Sequence, residues 1–415
     1  VDRLLLLLPT TTYRTEDFLD AALALGVDLV CASEAPSTFE GHAPDRLLTL
    51  DFTDPPAAAA AVARFAERHP VQAVVGVDDS TSVVAAAIAA RLGLKTNSIA
   101  SVTAARNKHL MRERLAAMGV RQPPFRLVPL DADPAREALA GPYPCVLKPL
   151  ALSASRGVIR ADDPTQFVDA VARIRAILAR DDVTAPESTR HALLAEHFVP
   201  GVEVALEGLL VNGDLRPLAL FDKPDPLDGP FFEETIYVTP SLLPEDAQKA
   251  IAHTTAEACA ALGLVDGPVH AELRVNDEGP WVIEVAARSI GGLCSRTLRF
   301  GTGMSLEELI LRQALGWPLT STERDGRAAG VMMIPIPRAG RLRTVHGVDR
   351  ARVVPGIEDV VISAHLDQEL IPLPEGWQYL GFIFARAQAP AQAEAALRTA
   401  HAHLRFEIVD GTRRP

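Results

Sequence analysis

Among the 415 residues of this chain, Glu272 and Glu284 are the pair best placed to do chemistry together. Glu272 lies in Val269-His270-Ala271-Glu272-Leu273-Arg274-Val275, and Glu284 in Trp281-Val282-Ile283-Glu284-Val285-Ala286. Both runs read as strands, in which alternate side chains share a face. Val269, Ala271, Leu273 and Val275 fall on one face of the first strand, and His270, Glu272 and Arg274 on the other. Trp281, Ile283 and Val285 make the apolar face of the second, with Glu284 opposite. Pairing Val275 with Trp281 across a turn at residues 276–280 sets Glu272 directly opposite Glu284, with Cβ atoms about 5 Å apart. Carboxylates that close destabilise a sheet unless something neutralises them. A hard divalent cation such as magnesium does so with oxygen ligands. Two water-facing glutamates offset by Arg274 or Arg288 fit the same pattern.

Upstream stretches supply cations. Lys148 ends the apolar run Cys145-Val146-Leu147-Lys148-Pro149, where a partly buried ammonium is costly unless an anion meets it. A lysine that reaches back to solvent is the plain alternative. Ala151-Leu152-Ser153-Ala154-Ser155-Arg156-Gly157 follows. It is not a Walker A loop, but the Ser153 and Ser155 hydroxyls and the backbone N–H groups could close over phosphates. Lys108 stands behind Asn107, a helix-cap candidate, and so beside a positive helix end that favours anions. Leu193 to Val204 reads as strand, break at Val199-Pro200-Gly201, and strand. Such a hinge can present edge groups to an adenine ring, with Glu203 placed to accept from ribose hydroxyls. An ordinary hairpin fits it too. Asp222-Lys223-Pro224 either approaches the substrate or simply turns.

The elements that would carry these residues follow from periodicity. Strands over 4–8, 27–32, 46–51 and 73–77 alternate with helices over 16–25, 57–67 and 82–92, a doubly wound α/β pattern. No GxGxxG follows the first strand, so a dinucleotide site has no support. A second unit begins near Thr103, with helices over 107–118, 167–178, 244–262 and 306–315. Strands are expected over 143–148, across 192–214, and in the glutamate hairpin. From residue 330 onward, strands over 331–336, 378–385 and 406–409 and a helix over 390–403 make a small α+β domain. Arg413-Arg414 reads as a solvated tail.

A net charge of −12 argues against a nucleic-acid surface, which needs a clustered positive field. Cys31, Cys145, Cys259 and Cys294 show no CxxC spacing, which argues against structural zinc and for reduced thiols in a cytoplasmic protein. The run at residues 4–8 is too short for a signal peptide, and nothing approaches the roughly twenty apolar residues of a membrane helix.

In their order along the chain, the helix-start Lys108, the Val146-Leu147-Lys148-Pro149 stretch with its small-residue loop, the Glu196-to-Val204 hinge and the glutamate strands resemble the ATP-grasp superfamily. The resemblance implies a pre-ATP-grasp α/β domain over 1–103, an ATP-grasp core over 104–322 and a C-terminal α+β domain over 323–415. Phe231-Phe232-Glu233-Glu234-Thr235-Ile236-Tyr237-Val238-Thr239-Pro240-Ser241 and Glu284-Val285-Ala286-Ala287-Arg288-Ser289-Ile290-Gly291-Gly292 resemble L-amino-acid ligases of the bacilysin-synthetase type, which include dipeptide-forming enzymes.

The resemblance implies ATP and Mg2+ as cofactors, with small-molecule carboxylate and amine substrates joined through an acyl phosphate with release of ADP. Lys108 and Lys148 would bind ATP phosphates, Lys148 with a catalytic part, and Ser153 and Ser155 would belong to the loop that covers them. Glu196 and Phe198 would contact adenine, and Glu203 the ribose. Glu272 and Glu284 would hold magnesium. Arg288 would steady the acyl phosphate and the oxyanion, aided by backbone at Gly291 and Gly292. Glu234 would meet the substrate amine, with Tyr237 beside it; the sequence identifies no base for the amine, Glu234 and His270 being only guesses. There are two departures: Tyr237 stands where such ligases commonly carry histidine, and Ala286 where the metal strand often carries asparagine. The resemblance leaves a homodimer open. It also leaves open an ATP-grasp ligase or carboxylase with a non-amino-acid acceptor, and a catalytically silent ATP-binding protein.

Overall fold

The computed structural model describes residues 2–410; Arg413 and Arg414 lie outside them. Its first sheet is parallel, in the order Leu47–Thr49, Asp28–Ser33, Arg3–Leu7, Ala73–Gly76. The leucines of Arg3–Leu7 explain its central place. Leu4 and Leu6 pack with the helix Thr15–Leu25, while Leu5 and Leu7 pack with the helices Pro55–Ala66 and Asp79–Arg91. A strand buried on both faces reads as a continuous apolar run.

A helix not foreseen in the sequence, Ile99–Arg106, leads into Lys108–Ala117. Asn107 caps the second helix, its side chain accepting from the N–H groups of His109 and Leu110 at 3.0 and 3.2 Å. Thr103, taken above as the start of a new unit, lies inside the first.

A four-stranded antiparallel sheet follows, in the order Phe125–Pro129, Ala192–His197, Cys145–Pro149, Ile159–Ala161. The helix Pro164–Leu178 backs it. The largest sheet has eight antiparallel strands: Gly279–Ala286, Gly267–Asn276, Val202–Val211, Asp214–Asp222, Ile236–Thr239, Ala328–Ile334, Gly381–Ala387 and Ile357–Ile362. Its last three strands come from beyond residue 323, so the C-terminal segment extends the central sheet as well as forming a small sheet of its own, Glu369–Leu370, Gly340–His346 and Arg405–Val409. The helix Glu245–Leu262 starts behind Pro244 and ends at Gly263, whose φ of 74° is left-handed, the asymmetry expected.

Candidate active site

The strands Gly267–Asn276 and Gly279–Ala286 place Glu272 opposite Glu284. The register differs from the expected one. Val275 pairs with Pro280 and Arg274 with Trp281, one residue away from the reading above, until a bulge at Ile283 restores the glutamate pairing. The bulge also exchanges the faces. Val282 and Val285 enter the core, whereas Trp281 and Ile283, expected there, are only half-buried. Arg112 stabilises the distortion, donating to the carbonyls of Val282 at 3.2 Å and Ile283 at 2.6 Å.

Arg112 has a second task. Its Nε reaches Glu196 at 2.6 Å, and Lys148 Nζ meets the other Glu196 oxygen at 2.7 Å. All three residues are buried. Burial alone would raise the Glu196 pKa, but Arg112 and Lys148 bring it down to about 2. Glu196 therefore anchors two cations, a role the sequence did not suggest. Lys108, first residue of its helix, turns its Nζ to the Leu152 carbonyl at 2.8 Å and to Glu284 at 3.0 Å. Phe198 is flanked by the guanidinium groups of Arg160 and Arg274, at 4.2 and 4.8 Å from its ring centre.

Lys223 settles into a carboxylate cluster. Its Nζ lies 2.9 Å from Glu203, in hydrogen-bond contact with Glu234, and 3.6 Å from Glu272. The side chain is almost fully buried, which would lower its pKa, yet the three carboxylates hold it well above the usual lysine value. Oxygens of Glu203, Glu234 and Glu272 lie within 4.8 Å of one another. Glu203 is also held by Arg274 at 3.0 Å, and Tyr237 donates to Glu234 at 2.6 Å. Burial and the nearby Glu272 raise the Glu234 pKa against the pull of Lys223. Glu272 is held well below its usual range: burial opposes ionisation, but Lys223 and His270 outweigh it. His270 lies 3.1 Å from the buried Glu207 and 3.5 Å from Glu272. Burial disfavours its charge, but these carboxylates raise its pKa to about 9.

Arg288 donates to Asp79 at 2.8 Å and to the Ser289 carbonyl at 2.9 Å. Asp79 begins the helix Asp79–Arg91, so the N-terminal domain holds this arginine. Burial opposes ionisation of Asp79, yet Arg288 holds its carboxyl below the usual range. The small-residue loop is tightly folded. Ala154 and Ser155 both have φ of 54°, and Gly157 has φ of 73°. A Cβ at Gly157 would come within 2.7 Å of Pro149 Cγ. The loop leans on the C-terminal segment: Gly157 N–H donates to the Pro374 carbonyl, and Arg156 Nε to that of Glu375, each at 2.9 Å.

One cavity of about 1340 Å³ joins these parts. It is lined by Lys108, Lys148, Ser153, Ser155, Glu196, Phe198, Glu203, Glu234, Tyr237, Glu272, Glu284, Arg288, Gly291 and Gly292, so every site residue the resemblance implied faces it, whereas Asp222, Lys223 and Pro224 do not line it. Sequence reasoning did not single out Asp79, Arg106, Arg112 or Glu207, and it left Lys223 undecided between substrate and turn. The signal for Lys223 is a lysine directly after an apolar strand, the same signal that marked Lys148.

Family models match the chain in order: an ATP-grasp N-terminal domain over residues 19–96, an ATP-grasp domain over 141–297 and the L-amino acid ligase C-terminal domain 2 over 332–409. The chain belongs to the ATP-grasp superfamily, and its fold is the mixed α/β and α+β arrangement the resemblance implied. Within the superfamily it resembles the L-amino acid ligases. The crystal structure of L-amino acid ligase from Bacillus licheniformis superposes with a TM-score of 0.83 at 26% identity, covering 99% of both chains. Alanine–anticapsin ligase of Bacillus subtilis (strain 168) is 29% identical over 236 residues, 53% of this chain and 49% of that protein. Dapdiamide A synthase of Enterobacter agglomerans is 31% identical over 201 residues, 48% of this chain and 45% of that protein. The alignments thus span about half the length of these two ligases. Among the described residues no helix is long and apolar enough to cross a membrane.

Proposed function

We propose that this chain is an ADP-forming carboxylate–amine ligase that makes an amide or peptide bond with an amino-acid substrate. One observation carries the reading: Lys108, Lys148 and Arg288 share a single cavity with the opposed Glu272 and Glu284 and with the Glu234–Tyr237 pair. The likeness to amino-acid ligases over the full chain supports it.

A carboxylate resists attack by an amine. In the first step its oxygen attacks the γ-phosphorus of ATP, ADP leaves and an acyl phosphate forms. Such a transfer needs alignment and charge neutralisation more than covalent help. Lys108 and Lys148 are the neutralising side chains at hand, and Glu196 fixes the second of them. Glu272 and Glu284 fit magnesium. They face each other in register, offer hard oxygen donors, and are balanced by lysine ammonium groups that a divalent cation could replace. Bound there, the metal would supply further neutralisation of phosphate charge.

In the second step the amine attacks the acyl carbon, loses a proton and expels phosphate. Arg288, held by Asp79, would stabilise the oxyanion. Glu234 is the better base of the two candidates. Burial and Glu272 raise its pKa, which strengthens it as a proton acceptor, whereas His270 at about 9 already carries its proton. ADP release with MgATP and amino acids, alone and in pairs, tests the reading: release must depend on the amino acids and yield a condensed product.

A further inference from the structure

Arg106 ends the helix Ile99–Arg106 and lines the same cavity two residues before Lys108. Its neighbours each have a partner. Arg288 holds Asp79 at 2.8 Å, and Lys108 holds Glu284 at 3.0 Å. Arg106 has none. Its Nε is buried without a hydrogen-bond partner, and no carboxylate stands within ion-pair distance among the described residues. Asp79, whose field reaches it, is already engaged by Arg288. Burial accordingly lowers the Arg106 pKa, and Asp79 offsets this only in part.

Arg106 is half-buried with its Nε fully covered; a guanidinium so placed without an anion is costly, and arginine cannot escape the cost by losing its proton. Packing does not require a cation here: the helix presents Val102, Ala104 and Ala105 to the core, not Arg106. We propose that Arg106 is an anion-binding residue of the active site, completed by an oxyanion of a substrate, either a phosphoryl group of ATP or the carboxylate of an amino acid. Its fork of donors suits either group. The identity of the anion rests on the ligase reading above; the existence of an anion site does not.

The test compares the whole wild-type chain with Arg106→Gln and Arg106→Lys. Calorimetric titration with MgATP and MgADP reads the phosphoryl arm. ADP release with one amino acid fixed as carboxylate donor and, as the amine, a second proteinogenic amino acid or its carboxamide reads the carboxylate arm. If the γ-phosphoryl is the anion, Arg106→Gln weakens MgATP on the order of ten- to hundredfold while MgADP is unchanged. If a carboxylate is the anion, nucleotide affinity holds, and KM rises by a similar factor for the free amino acid but not for its carboxamide. Arg106→Lys falls between in either case. Removal of an unpaired, half-buried charge leaves the melting temperature of the ligand-free protein unchanged or higher. A lowered melting temperature, with nucleotide affinity and KM unmoved, would instead make Arg106 structural and overturn the proposal. Should wild type bind no nucleotide, the ligase reading falls, and inorganic phosphate then decides. A melting temperature raised by phosphate in wild type but not in Arg106→Gln keeps the anion site; no difference between them removes it.

Discussion

Replacing Glu196 by Gln removes the negative charge from between Arg112 and Lys148 while keeping the shape of the side chain. The cost can be worked out from the site. At about 1.4 kcal/mol for each tenfold change in acidity, a carboxyl held at about 2 instead of 4.5 has its ionised form favoured by roughly 3 kcal/mol. Breaking a buried ion pair by removing one partner typically costs about 3–5 kcal/mol, so the two routes agree. The direction with pH is fixed by the depressed value. Glu196 contributes fully above its ordinary pKa of 4.5, and the contribution is lost as pH falls from there toward about 2. Urea unfolding followed by the fluorescence of Trp281, Trp317 and Trp377 should show Glu196→Gln less stable by roughly 3 kcal/mol at neutral pH, with the gap to wild type narrowing in acid. A variant within about 0.5 kcal/mol of wild type at neutral pH, or a gap that stays constant into acid, would refute the reasoning.

Other outcomes follow from the same geometry. Arg288→Lys should lower kcat on the order of a hundred- to thousandfold, because an ammonium cannot hold Asp79 and an oxyanion together in planar geometry; calorimetry should show MgATP affinity little changed. Tyr237→Phe deletes the 2.6 Å bond to Glu234, a bond to a charged group worth about 1.5–3 kcal/mol, and should raise KM for the amine substrate roughly tenfold or more in steady-state assays. Gly157→Ala meets both a left-handed φ, costing about 1–2 kcal/mol, and a contact of 2.7 Å with Pro149; limited proteolysis should then cut the loop sooner, and KM for ATP should rise.

The parallel sheet and most helices were legible because their signals are local. The leucine run at residues 4–8 needs two covered faces, and the alanine-rich helices alternate with it. The paired glutamates were legible from a period of two and a short turn. The bulge at Ile283 was not, because it depends on Arg112 reaching the Val282 and Ile283 carbonyls from a distant helix. The Lys223 cluster was hidden for the same reason. Glu272, Glu203 and Lys223 come from or directly follow neighbouring strands of the large sheet, and Glu234 lies two residues before the next, Ile236–Thr239. That neighbourhood depends on sheet order, which the spacing along the chain does not encode. Glu196 illustrates a third case. Its position at the end of a strand was foreseen, and it does line the cavity, but the two buried cations that occupy its carboxylate were not. The C-terminal strands read as a separate unit because only register shows that Ala328–Ile334 continues the sheet beside Ile236–Thr239.

The central claim is tested most directly by ADP and phosphate release from MgATP across single and paired amino acids, with mass detection of products. The account predicts release that requires an amino-acid pair and a product equal in mass to the pair less one water. Nucleotide that binds without any amino-acid-dependent release would contradict the amino-acid ligase reading, and failure to bind MgATP at all would contradict the assignment of the cavity itself.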